Sequence, residues 1–247
     1  MSEMDRPVEG REEPAPAAPA PQAVSAGELE EILGQHQVWL ESKGEEGTRA
    51  SFLQAFLQEA YLQGADLRGA EMRQVNLQQA ELQWANLFRA DLGEANLKRA
   101  NLHKAKLQGA NLQGASLLEA NLREANLQGV NLQNADLRDA DFLDANLRRA
   151  DLKGAYARGC NFFMADLHEM NFQEGDLRGA DLQGAELNGA DFRKANLRDA
   201  KLGGTDLKGT NLQGADLLDA IGLSAKQIEA AITDEKTRLP GFSEENS

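Results

Sequence analysis

The residues of this 247-residue chain best suited to chemistry are three histidines, one cysteine and a file of carboxylates. A side-chain nucleophile needs a base within hydrogen-bond reach. The spacing does not predict such a pair, since His36 lies near the N-terminus and His103 and His168 stand 65 residues apart. Cys160 has no second cysteine, so it can form neither an intrachain disulfide nor, with scattered histidines, a tetrahedral zinc site. Asp166, Glu186 and Asp206 recur every twenty residues and would stack if the chain coiled with that period. Hard cations need a cage of oxygens, so the expectation for this file is a solvated acidic stripe. The many glycines form no phosphate loop, because they fall at one place in a short repeat. The reading is therefore of a chain that is no enzyme, with no catalytic, cofactor-binding or metal-binding residues.

The elements that would position any functional residue follow from a five-residue period. With the large apolar residue as the centre of each unit, centres run without a break from Phe52 to Leu217, 34 units in all. Leu fills 27 centres, Ala stands two before the centre in 27 units, Asp or Asn stands just before it in 24, and Gly ends 13. An α-helix turns 100° per residue and would scatter these leucines around its circumference. So many Asn, Asp and Gly residues also oppose a helix. In an extended chain, residues two apart share a side, so Ala and Leu face inward together. The next Ala comes three residues later and would face outward unless the chain turned a corner once per unit. Asn, Asp and Gly tolerate such corners. Four corners close a square coil of twenty residues, with successive coils stacked like parallel strands ~4.8 Å apart, about 40 Å in all.

The motif A-[DN]-L-x-x, as in Ala95-Asn96-Leu97, resembles the pentapeptide-repeat family over about 170 residues. The resemblance implies an all-β solenoid, a right-handed quadrilateral β-helix; the handedness and the four units per coil come from the family. The segment His36-Gln37-Val38-Trp39-Leu40, with Gly44 and Gly47, resembles lead-ins found before such repeats in bacterial proteins.

Residues 1–25, rich in Pro, Ala and acids, cannot bury a core and read as a disordered tail. Ser25 and Glu28 form a capping box, and Leu29, Ile32, Leu33, His36, Trp39 and Leu40 follow at helical spacing. A capping helix is expected over 26–42, inside a lead-in spanning 26–49. The repeats occupy 50–222, and 223–247 hold a second cap and tail, with Ser224 and Gln227 opening a helix over 224–233. Stacked rods need caps. In relatives, C-terminal elements can also join two rods, so Leu223, Ile228, Ile232, Leu239 and Phe242 are read either as a simple cap or as a homodimer contact.

The net charge is −14, but residues 61–220 hold 23 acids and 19 bases, while residues 1–50 hold 11 acids and 4 bases. Some proteins of the family resemble duplex DNA in shape and charge and bind DNA gyrase or other topoisomerases, protecting against quinolones. Duplex DNA carries one charge per ~1.7 Å, so a rod of this length would need on the order of twenty negative charges. The repeats fall well short of that and lack the projecting loop of some protective relatives, so gyrase mimicry is the alternative reading. No side is basic enough for direct nucleic-acid binding. The leading reading is a non-catalytic scaffold for an unidentified protein partner, or a self-associating rod. Leu143 and Phe163 occupy equivalent places one coil apart, Met164 is beside them, Trp84 projects from the same side, and Phe88 lies around the corner. Such a cluster marks a contact site. The competing reading is local repacking, with Met170 filling space left by the small centre Ala157. No 18-residue apolar run spans a membrane and no signal peptide opens the chain, so the expected compartment is cytoplasmic.

Overall fold

One hydrogen-bond scheme, repeated unit after unit, builds the molecule. In this computed structural model, residues 23–241 are described. The last residue of every unit from 54 to 219 has a φ between 54° and 71°. The N–H of the following residue bonds back to the unit's centre, as Ala70 does to the Leu67 carbonyl at 3.0 Å. A left-handed third residue closed by that bond defines a type II turn. Twenty-one of the 34 turns place a residue other than Gly in this conformation.

The remaining donors are satisfied between coils. Asp91 N–H bonds to the Ala70 carbonyl of the coil before, while Leu92 N–H and Glu94 N–H bond to the Asn111 and Gln113 carbonyls of the coil after. The fifth donor, Gly93 N–H, bonds to the Asp91 carboxylate two residues back at 3.1 Å. Asp and Asn therefore serve before the centre as side-chain acceptors that close the backbone's account. Asn adds a donor: Asn111 Nδ2 reaches Asp91 Oδ1 at 2.8 Å, and Asn131 Nδ2 reaches Asn111 Oδ1 at 3.2 Å. Parallel bridges pair residues twenty apart from Ser51 to Ile221, so the chain forms a four-sided parallel β-solenoid.

Ala and Leu line the interior, with Leu67 through Leu187 nearly inaccessible. Irregular units are accommodated locally. The Phe172 ring occupies the space that a Cβ on Gly175 would need. Phe142 stacks on Phe162 with centroids 5.0 Å apart, and Phe172 on Phe192 at 5.8 Å. Thr205 and Thr210 replace inner Ala residues, and their hydroxyls donate to the Leu202 and Leu187 carbonyls at 2.8 and 2.7 Å. Buried hydroxyls are tolerated on those terms.

Helix α1 spans Ala26–Glu41 and opens with the reciprocal Ser25–Glu28 capping box. Val24, Leu29, Ile32 and Leu33 pack against the solenoid interior, and Ala23 pairs with Phe56. His36 is fully buried at this junction, where its Nδ1 accepts the Ala50 N–H at 3.1 Å and its ring stacks on Trp39. The chain returns from α1 through Gly47, where a Cβ would lie 2.7 Å from the Trp39 nitrogen and φ is 71°. Only Gly fits there.

At the other end, α2 spans Ala225–Glu229, shorter than the helix expected over 224–233. The reason is competition from the last coil. Leu212 N–H bonds to the Ile232 carbonyl and Leu217 N–H to the Arg238 carbonyl, both at 2.7 Å. The open strand edge recruits the chain that would have continued the helix. Gln227 Nε2 ties α2 to the Leu202 and Thr205 carbonyls at 2.9 and 3.0 Å. The expected tail over 1–25 falls mostly outside the described residues, as does Phe242.

Candidate functional site

Because the interior is filled, outward-facing residues carry whatever the rod binds. The corner geometry sends three residues of each unit outward, one before the centre and two after it. When an Asp precedes the centre and an Arg follows it, the two side chains lie side by side. Arg68, Arg138, Arg178 and Arg193 each grip the Asp two residues earlier through Nε and Nη2, with Nη2–carboxylate distances of 2.7 Å. The guanidinium bonds hold the Asp136 and Asp176 carboxyls below their ordinary values, against the opposing effect of burial.

Among the residues singled out from sequence, Phe163 and Met164 are 40% and 53% exposed, and Leu143, one coil away, is half-buried. The Met164 side chain leans toward the next coil and lies over Gly184. Trp84 is exposed, but the coils bearing His103–Lys104 and Arg123–Glu124 separate it from Leu143, and its neighbour is the His103 ring, 6.1 Å away. Phe88 packs under its own neighbour Arg89, whose guanidinium carbon sits 5.1 Å from the ring centroid. The structure thus brings Leu143, Phe163 and Met164 together and leaves Trp84 and Phe88 apart from them. At the C-terminal end Leu223 is buried, Ile228 and Leu239 are partly buried against the interior, and Ile232 is 48% exposed.

The acidic file contains a grouping that sequence spacing missed. His168 Nδ1 lies 2.6 Å from Asp166 and 3.4 Å from Glu186, because positions on either side of a centre face the same way. Arg148 reaches the same Asp166 carboxylate at 3.3 Å. Burial opposes ionisation of Asp166, but the His168 and Arg148 bonds outweigh it and hold its carboxyl below the ordinary value. Asp206 is bound instead by Asn188 at 2.6 Å and by the Lys208 N–H. These atoms are already committed to contacts within the protein. Cys160 is fully buried and its Sγ donates to the Leu137 carbonyl at 2.7 Å, while burial pushes its thiol far above the ordinary value. A thiol held in that state is a poor nucleophile.

A second grouping passed unnoticed in the sequence. Arg138, Arg158 and Arg178 form a file down one wall and line a surface cavity of about 480 Å3 with Tyr156, Asp136 and Asp176. The signal was present: Tyr156 stands where Asp136 and Asp176, its bridge partners in the adjoining coils, carry carboxylates.

A four-sided parallel solenoid with a twenty-residue coil is the fold class defined by these observations. The profile described as pentapeptide repeats matches in 8 copies between residues 48 and 221, and the chain belongs to that family. Membership implies the right-handed quadrilateral β-helix. Among solved structures, the chain is similar to HetL, a pentapeptide repeat protein involved in heterocyst differentiation regulation in the cyanobacterium Nostoc, at 30% identity over 81% of this chain and 93% of that one, with a TM-score of 0.42. It is similar to a pentapeptide repeat protein of the Arabidopsis thaliana thylakoid lumen at 33% identity over 47% of this chain and 85% of that one, with a TM-score of 0.43. It is similar to QnrB1, a plasmid-mediated fluoroquinolone resistance protein, at 17% identity over 76% of this chain and 92% of that one, with a TM-score of 0.43. No curated protein matches the chain. Among the described residues no helix is long and apolar enough to cross a membrane.

Proposed function

We propose that this protein is a non-catalytic rod that holds another protein against its outer wall. The observation that carries this reading is the exposure of Phe163 and Met164 beside Leu143, on a wall whose neighbouring coils present the polar and charged residues Arg123, Glu124 and Gln183. Contiguous apolar residues of this kind are typical of contact sites. The burial of Cys160 and His36, and the internal pairing of His168, support a binding role over a chemical one. Leu143→Asp with Phe163→Asp places two charges on the wall without touching the interior. Proteins captured by the wild-type rod should be lost by this variant, and unchanged capture would end the reading.

Among the described residues, association of two rods through the C-terminal end is supported by the exposed Ile232 and Ile221, while Leu223 is committed to the interior. The alternative, a DNA-like surface that occupies DNA gyrase, draws support from family membership. It is opposed by the pairing of acids with arginines along the walls, which breaks up the negative field that duplex DNA presents. Potent inhibition of gyrase supercoiling by the purified protein would favour this alternative.

A further inference from the structure

The wall that carries Tyr156 differs from the one that carries Phe163, and its chemistry is different. In the file Arg138, Arg158, Arg178, the outer two arginines spend Nε and Nη2 on Asp136 and Asp176 and keep Nη1 free of those bonds. Arg158 has no such partner, because Tyr156 occupies the place of the Asp. No carboxylate among the described residues lies within 4.0 Å of the Arg158 guanidinium. Asp139 leans over Gly159 on the far side of the file without reaching it. Asp139 adjoins the same three arginines, so acids and guanidiniums nearly balance there, but Arg158 makes no ion pair and its donors remain free. The three arginines stand one coil apart, ~4.8 Å per step, so donors from neighbouring coils can converge on one small group. Tyr156 is 55% exposed beside them and offers a ring face.

We propose that this cavity binds a phosphate monoester, with Arg158 as the principal anchor, Nη1 of Arg138 and Arg178 as flanking donors, and Tyr156 against the group that bears the phosphate. Three acceptor oxygens on a small dianion match three converging guanidiniums better than one carboxylate does, and guanidinium–phosphate bonds are among the stronger charge-assisted ones. The nearly balanced charge around the file does not suit a polyanion such as nucleic acid. The ester can come from a free small molecule or from a phosphorylated side chain of a partner.

Calorimetric titration of the full chain with phenyl phosphate, and separately with a phosphotyrosine-bearing peptide, tests the site. Saturable one-to-one binding is expected, with Arg158→Gln weakening it about tenfold or more. Tyr156→Asp restores the Asp-x-Arg pairing found in the adjoining coils, so it should close the site while leaving the far-ultraviolet spectrum unchanged. Equal affinity for the two probes assigns the site to a free ester, and tighter binding of the peptide assigns it to a phosphorylated partner. Absence of saturation by either probe up to about 10 mM, or full affinity in Arg158→Gln, would overturn the proposal.

Discussion

Asn121 ties two coils together with one side chain: its Nδ2 donates to Asn101 Oδ1 at 3.0 Å while its Oδ1 accepts the Arg123 N–H at 3.1 Å. Asn121→Ala removes both bonds and should lower stability by about 1–2 kcal/mol. Gln128→Ala, at an exposed position of the next unit, should stay within ~0.5 kcal/mol of wild type. Urea midpoints of the two variants check the difference.

Gly175 and Phe172 form a complementary pair, since the ring lies where the missing Cβ would be. Gly175→Ala should destabilise by about 1–3 kcal/mol through overpacking. Adding Phe172→Leu relieves the clash, so the double variant should be more stable than the sum of the two single changes predicts. A double-mutant cycle by chemical denaturation measures that coupling.

Gln79 sits at the end of its unit with a φ of 58° and an exposed side chain. Gln79→Val should cost about 1 kcal/mol or more, because a β-branched side chain fits the left-handed region poorly. Gln79→Gly should change stability by no more than about 0.5 kcal/mol, as relief of backbone strain offsets the extra freedom of the unfolded chain. Thermal unfolding of the pair separates this backbone effect from any loss of contacts.

His36 makes α1 sensitive to pH. Burial pushes its imidazole below the ordinary value; the Asp66 carboxylate and the Arg68 backbone oppose the shift, and the Arg49 and Arg68 charges add to it. The unfolded chain therefore takes up a proton at a higher pH than the folded one does. Docking of α1 is at full strength above about pH 6.5 and weakens as pH falls through the lower folded value. Protonation also removes the Nδ1 acceptor that Ala50 N–H uses. Amide protection in α1, corrected for intrinsic rates, should drop between about pH 7.5 and pH 5.5 while the central coils keep theirs. Equal loss along the whole chain would contradict this.

The solenoid was legible in the sequence because every unit repeats the same physical statement. Ala95 and Leu97 face inward, Asn96 supplies the missing acceptor, and no insertion disturbs the register. Helix α1 was legible for a local reason, its Ser25–Glu28 box, and it ends at Glu41, one residue before the expected end. The second helix was overestimated because its continuation depends on Leu212 and Leu217, whose unpaired N–H groups lie in another coil and draw Ile232 and Arg238 into bridges. The apolar wall was partly legible: Leu143 and Phe163 share a column, but the distance from Trp84 spans coils whose charged residues break the patch. The arginine cavity was not legible, because periodicity reveals what recurs, and this site arises from a single departure at Tyr156.

Since bridges join residues twenty apart from Ser51 to Ile221, the wall on which a repeat side chain stands is set by its residue number modulo twenty. Excising residues 101–120 would shorten the rod by one storey and leave every column aligned. Excising residues 121–125 would instead turn everything downstream by a quarter rotation. Trp84 and Phe163, which now look out from one side, would then face different neighbours. Evolution of such a chain can change its reach in whole-coil steps, but any other change of length reassigns which partners see which wall.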